Sequence, residues 1–151
     1  MAVRALLLAA LPAAVLAGCS SYSDPTLSIT GAEILEQSPA ATVVQFTIEA
    51  QNANEVELPL TAIRYTLSKD GRQLFSAQRS PEATLRRIGT QSFTIPAVID
   101  NAQVPPGPQT YTLQGTLEYI TPGSIAQILF DAGVRRPSVG FAEQVEVNLT
   151  P

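Results

Sequence analysis

The sequence predicts an all-β fold, an antiparallel sandwich or barrel of about seven strands with one short helix before the last strand. Three observations carry that prediction. From Leu27 onward, runs rich in Thr, Val, Ile, Phe and Tyr are separated by clusters of Pro, Gly, Asn and Asp, the punctuation of short strands joined by turns. Apolar and polar residues alternate within the runs, which puts one face of each strand in a core. The chain has 151 residues, 45% apolar and 15% charged, enough for one domain with a real core and too few for two.

The elements follow in order. Met1 to Arg4 carries one positive charge, and Ala5 to Ala17 is uncharged with a core of Leu6, Leu7, Leu8 and Leu11, the layout of a secretory signal outside the mature fold. Pro12 interrupts the run, whose strongly apolar part stops well short of the ~20 residues a bilayer-spanning helix needs. Leu16-Ala17-Gly18-Cys19 resembles the lipobox of bacterial lipoproteins, and it contains the only cysteine of the chain. That resemblance makes Leu16, Ala17 and Gly18 the signal-peptidase recognition residues and Cys19 the lipidated residue. It implies residues 1–18 as the signal peptide, 19–26 as the acylated Cys and a polar tether, and 27–151 as the folded domain. Two or three acyl chains, at ~0.8 kcal/mol for each buried methylene, hold such a protein on a membrane. Ser20 in place of Asp after the Cys implies, by the same resemblance, the periplasmic face of the outer membrane.

In the domain, Thr42 to Gln51 alternates most plainly, with Val44, Phe46, Ile48 and Ala50 on one face. Leu60 to Ser68 turns Ile63, Tyr65 and Leu67 inward, and Asp70-Gly71 supplies a tight turn into Gln73 to Gln78. Thr90 to Ile99 groups Phe93, Ile95, Ala97 and Ile99, and Pro96, which lacks an amide donor, pushes this run to a sheet edge. Asn101 to Pro108 holds three prolines and reads as the long crossing of a Greek key. Gln109 to Tyr119 faces Tyr111, Leu113, Gly115, Leu117 and Tyr119 one way, and the last run alternates Val139, Phe141, Val145, Val147 and Leu149. Between them, Ser124 and Gln127 form an expected capping box, Ile125, Ile128 and Leu129 stand at helical spacing, and Gly133 is the stop. Arg135 and Arg136 then fall at the negative end of that helix.

Asn52-Ala53-Asn54, then Glu57-Leu58-Pro59-Leu60, Ile63-Arg64-Tyr65-Thr66-Leu67 and the Asp70-Gly71 turn, resemble the late embryogenesis abundant type 2 family and its WHy (water stress and hypersensitive response) domain. Phe93 to Pro96 and Tyr111 to Gly115 resemble that family's later strands, so the likeness spans about residues 27 to 149. Asn52, Asn54, Pro59, Tyr65 and Gly115 are the family marks. In the family an Asn-Pro-Asn usually ends the second strand; Ala53 replaces its proline here, which leaves a looser turn as the expectation. The resemblance implies an immunoglobulin/fibronectin type III-like sandwich, an association with desiccation or stress tolerance, no cofactor and no established reaction. From the residues themselves, Asn52 and Asn54 are turn formers whose amides bond the backbone.

Composition narrows the chemistry. The chain has no histidine and a single cysteine, so metal-imidazole sites, Ser-His and Cys-His nucleophiles and disulfide frameworks fall away together. Without residues 1–18, eight basic residues stand against thirteen acidic ones, the wrong balance for a nucleic-acid partner. A glycosidase needs two carboxylates across a cleft, and Glu55 with Glu57 read instead as solvated residues beside a strand. Expected, then, is a non-enzymatic, lipid-anchored envelope protein that protects proteins or membrane during water loss. The alternative is a binding module for an envelope assembly partner or an apolar lipid ligand.

Overall fold

The computed structural model describes residues 22–149. Eight strands run in chain order as β1 (Thr26–Gln37), β2 (Ala41–Asn52), β3 (Leu58–Lys69), β4 (Arg72–Arg79), β5 (Thr84–Leu85), β6 (Gly89–Asp100), β7 (Gly107–Tyr119) and β8 (Ser138–Leu149). A 3-10 turn occupies Asn101–Gln103, and helix α1 (Ser124–Asp131) precedes β8. One sheet has the order β1-β2-β6; the other has β4-β3-β7-β8, with β5 added on β3. All pairings are antiparallel. This is the sandwich class the alternation foretold, with one strand more: the two-residue β5 is too short to leave a period in the sequence.

The core lies between the sheets, filled by the faces the alternation selects. Val44, Phe46, Ile48 and Ala50 of β2 are fully buried, as are Ile63 and Leu67 of β3 and Tyr111, Leu113 and Leu117 of β7. β2 is the middle strand of its sheet and β3 and β7 are internal in theirs, so each has a neighbour on both sides as well as a facing sheet. Pro96 stands on β6, an edge strand, where its missing N–H costs no ladder bond. The β3–β4 turn places Asp70 at φ 51° and Gly71 at φ 77°, the left-handed pair a tight hairpin requires. The expected crossing is present: the segment after β6 passes from one sheet to the other and reaches β7 through Val104, buried in the core.

Side chains close both open sides of the sandwich. Where β1 faces β8, the Glu143 carboxylate accepts from the Ile29 backbone N–H with both oxygens at 3.2 Å. Where β6 faces β4, the Tyr65 hydroxyl donates to the Pro96 carbonyl at 2.5 Å. Edge-strand groups that would otherwise template another chain are thereby occupied.

One expectation needs correction. The capping box does not form: the N-cap is Gly123, with no side-chain cap bond, and Ser124 is already helical. Gly123 sits at φ 115°, so the chain enters α1 from a conformation that a serine cap would not take. Helix α1 has no buried residue, so the spacing of Ile125, Ile128 and Leu129 marks a shared face but not a packed one. Packing contacts extend to residues before Leu27. Tyr22 stacks on Tyr119 at 6.3 Å between ring centroids, Pro25 is buried, and Thr26 already belongs to β1. The Gly133 stop is as expected. Gly133 at φ 69° donates to the Phe130 carbonyl while Val134 donates to that of Leu129, the two bonds of a Schellman ending.

Candidate functional site

One end of the sandwich gathers the N-terminal entry (residues 22–25), the β2–β3 loop (53–57), the β5–β6 loop (86–88) and the β7–β8 connection that holds α1. Two asparagines join the first three. Asn52, the last residue of β2, is 1% exposed and Asn54 is 8% exposed. The Asn52 amide donates to the carbonyls of Val56 at 2.7 Å and Arg86 at 3.1 Å. Its Oδ1 accepts from the Asn54 backbone N–H at 2.9 Å and from the Asn54 amide at 2.8 Å. Asn54 in turn donates to the Ser23 carbonyl at 2.7 Å and accepts from the Ser23 N–H at 2.9 Å. Its own carbonyl receives the Ile88 N–H at 2.9 Å. Every polar atom of both side chains is used, which is what a buried amide pair requires.

With alanine at 53, the turn is held by the hydrogen bonds of its two asparagines. Side-chain amides reach across three segments and hold it, and the rigidity a proline ring supplies locally comes here from hydrogen bonds between residues far apart in sequence.

Beside this clasp, Tyr119 donates to Asp24 Oδ1 at 2.6 Å. Burial, then the bond to Asp24, raises the Tyr119 phenol above its ordinary range. Burial, then the Asp24 charge, pushes Tyr22 up to about 12. Both phenols stay protonated at neutral pH, Tyr119 as a donor and both rings as apolar plates rather than bases. A groove of about 300 Å³ opens next to them, lined in part by Tyr22, Tyr119, Arg135, Arg136 and Pro137. The Arg136 guanidinium lies 5.7 Å from the centre of the Phe130 ring, a cation–π distance.

The family marks do not form one site. Asn52, Asn54 and Pro59 all stand at this end, where Pro59 is the second residue of β3 and its carbonyl accepts from Ile120 at 2.9 Å. Tyr65 and Gly115 are direct cross-strand partners in the middle of the larger sheet, and Phe141 stands opposite Gly115 on the other side. A Cβ on Gly115 would meet the Arg64 carbonyl at 2.4 Å and the Phe141 ring at 2.9 Å, so the missing side chain is what admits the close approach of β3 and the Phe141 ring. Leu16, Ala17, Gly18 and Cys19 lie outside the described residues. Glu55 and Glu57 are exposed in the β2–β3 loop. Glu118, read from alternation as solvent-facing, is buried against Arg64, its ion-pair partner across β3. Among the described residues no three His, Cys, Asp or Glu side chains cluster as metal ligands, and no helix is long and apolar enough to cross a membrane.

The family model of the late embryogenesis abundant proteins, LEA_2, matches residues 47–130, from inside β2 through α1. The chain belongs to this family. Two solved structures share the LEA_2 protein's fold. The solution structure of a protein described as late embryogenesis abundant superposes with a TM-score of 0.66 at 15% identity, covering 89% of this chain and 76% of that one. A solution structure from Arabidopsis thaliana gives 0.63 at 13% identity, with 87% and 88% covered. At such identities the likeness is one of architecture alone. No curated protein matches the sequence. The clasp asparagines Asn52 and Asn54 fall inside the matched segment, whereas Ser23, which they hold, lies before it.

Proposed function

We propose that this LEA_2 protein is a lipid-anchored envelope protein with a WHy-like, non-enzymatic sandwich that shields neighbouring proteins or membrane during water loss. Membership of the family, over a segment that includes both clasp asparagines, carries the stress-related part of this reading. The Leu16-Ala17-Gly18-Cys19 string, with Ser20 after it, supports acylation at Cys19 and a place on the periplasmic face of the outer membrane. The polar atoms of the Asn52 and Asn54 side chains are all bonded within the protein, which suits a body that keeps its shape rather than one that turns over a substrate.

Two experiments test the reading. Residues 20–151, made without the cysteine, should suppress aggregation of a labile enzyme during drying more than an equal mass of an inert protein; equal protection removes the role. Cys19→Ala should shift the chain from the membrane fraction to a soluble or uncleaved form. Unchanged fractionation and no acyl mass on the native chain remove the anchor.

A second reading, a carrier of an apolar ligand, has its own observation. A cavity of about 600 Å³ opens at the opposite end, where Pro39, Val104, Pro106 and Leu149 supply apolar walls, within the usual size range of small-molecule pockets. Purification from membranes in mild detergent should then recover a stoichiometric lipid, and repeated recovery of bare protein counts against it.

A further inference from the structure

Five of the eight large hydrophobic side chains most exposed among the described residues stand on the loops of the N-terminal end: Val56, Ile88, Ile125, Ile128 and Val134. Three of them are almost wholly in solvent, Ile125 at 74%, Val134 at 72% and Ile88 at 69%. Single exposed apolar residues are ordinary, but several gathered at one end mark a surface that another phase or partner covers. Ile88 adds a second observation. It holds φ 43°, left-handed backbone that a β-branched residue rarely adopts, and it does so on a loop pinned by Asn52 and Asn54 through Arg86 and Ile88. The clasp thus fixes the segment in a shape that leaves an isoleucine facing outward.

Charge separates this end from the rest. With the β4–β5 loop (80–83), which leads back to the start of β3, its loops hold Arg86, Arg87, Arg135 and Arg136 against Asp24, Glu55, Glu57, Glu82 and Asp131, close to neutral as a set. The other described residues carry four basic side chains against eight acidic ones. Among the described residues none of the four arginines is in an ion pair, the two pairs there being Arg64 with Glu118 and Lys69 with Asp70. The chain also enters the fold here, at Tyr22. At ~3.5 Å per residue, a chain acylated at Cys19 holds Tyr22 within roughly 10 Å of the attachment point.

We propose that the loops of this end dock on the bilayer surface, with Ile88, Ile125, Ile128 and Val134 entering the boundary of headgroups and acyl chains and the four arginines reaching lipid phosphates. The proposal rests on the anchored reading for its setting. Apolar side chains ringed by guanidinium groups fit an interface that is apolar below and anionic above. Most of the acidic excess of the body lies outside these loops, where anionic lipids repel it less. Tethering supplies the high local concentration, and the loop side chains decide which end faces down.

The chain has no tryptophan, so a single one reports depth without background. Full-length Ile128→Trp, purified with its native N-terminal modification, is reconstituted in vesicles of phosphatidylcholine and phosphatidylglycerol with acyl chains brominated near the headgroup. Leu35→Trp, on the far half of β1 and 55% exposed, is the comparison. Quenching of at least about twofold at 128 and little at 35 is expected for a side chain ~5–10 Å into the headgroup and acyl boundary. With the acyl mass on Cys19 confirmed, absence of quenching at 128, or equal quenching at both positions, overturns the docking while the anchor stands. If the mass shows no acylation, the anchored reading fails, and the same variants added to the vesicles decide the docking by the same criterion. Shielding of Trp at 128 from aqueous iodide by a co-purified protein, without lipid, also overturns it.

Discussion

Asn52→Ala tests the clasp most directly. The substitution deletes four hydrogen bonds: two donated to Val56 and Arg86, and two accepted from Asn54. The carbonyls of Val56 and Arg86 belong to exposed loop residues and can turn toward water, so their loss costs about 0.5–1 kcal/mol each. The Asn54 backbone N–H is different, because it lies in a residue only 8% exposed and an orphaned buried donor costs about 1–3 kcal/mol. The total is about 3 kcal/mol, roughly a 10 °C fall in Tm for a domain of this size. Urea unfolding followed by far-ultraviolet circular dichroism should show a lower midpoint with an unchanged slope, since the same surface unfolds. Asn54→Ala should cost less, about 1–2 kcal/mol, because it frees the Ser23 strap and leaves Asn52 bonded to Val56 and Arg86. A loss below about 1 kcal/mol for Asn52→Ala, or a larger loss for Asn54→Ala, would show that Asn52 is an ordinary solvated turn residue.

Three further outcomes follow from particular atoms. Gly115→Ala forces a methyl group against the Arg64 carbonyl at 2.4 Å, and because a strand backbone cannot yield cheaply, a loss of about 3 kcal/mol is expected by thermal unfolding; a change under about 1 kcal/mol would mean that β3 and β7 separate freely there. Ile88→Gly relieves the left-handed strain at φ 43° while adding freedom to the unfolded chain, so stability should hold or rise by up to about 1 kcal/mol as vesicle binding weakens; a clear loss of stability would show that Ile88 packs rather than projects. The Tyr111 hydroxyl is buried with no hydrogen-bond partner among the described residues, so Tyr111→Phe should stabilise the fold by about 1 kcal/mol. Burial also pushes the Tyr111 phenol up to about 12 from an unfolded value of 10.0. Ionisation of the unfolded chain's phenol therefore lowers the stability of the native protein as pH rises from 10 toward 12, and has no effect below pH 10. The phenylalanine variant should show a flatter alkaline limb in denaturation midpoints measured from neutral pH upward, and identical limbs would refute the assignment.

The strands were legible because a period of two is a local signal. Val44, Phe46, Ile48 and Ala50 announce a buried face without any knowledge of what covers it, and Asp70-Gly71 specifies its own turn. Pro96 gave its edge position through one missing donor. Other features carried no local signal. Leu85 is fully buried yet sits in a two-residue strand. Glu118 follows the solvent-facing parity yet is buried, paired with Arg64 of the neighbouring strand. Ile125 and Ile128 share the spacing of a packed helix face, but spacing fixes which residues stand together and not whether anything lies against them.

At the N-terminal end, Asn52 and Asn54 were readable as turn formers, and that much was correct. Their partners were not readable, because Ser23 and Arg86 lie 31 and 34 residues away along the chain. The outward isoleucine at 88 left no trace either, since no residue type encodes a left-handed φ that glycine would fill better.

By itself the sequence determined the class of fold, the faces of the strands and the residue types from which any chemistry must be drawn, because alternation, turn residues and the absence of histidine act within a few positions. The tertiary structure alone decided which separated residues share an end: the amide clasp, the four loop arginines and the exposed aliphatic side chains. Strand pairing brings those loops together, and pairing is set by how two whole sheets bury their apolar faces against each other, a property no single segment contains.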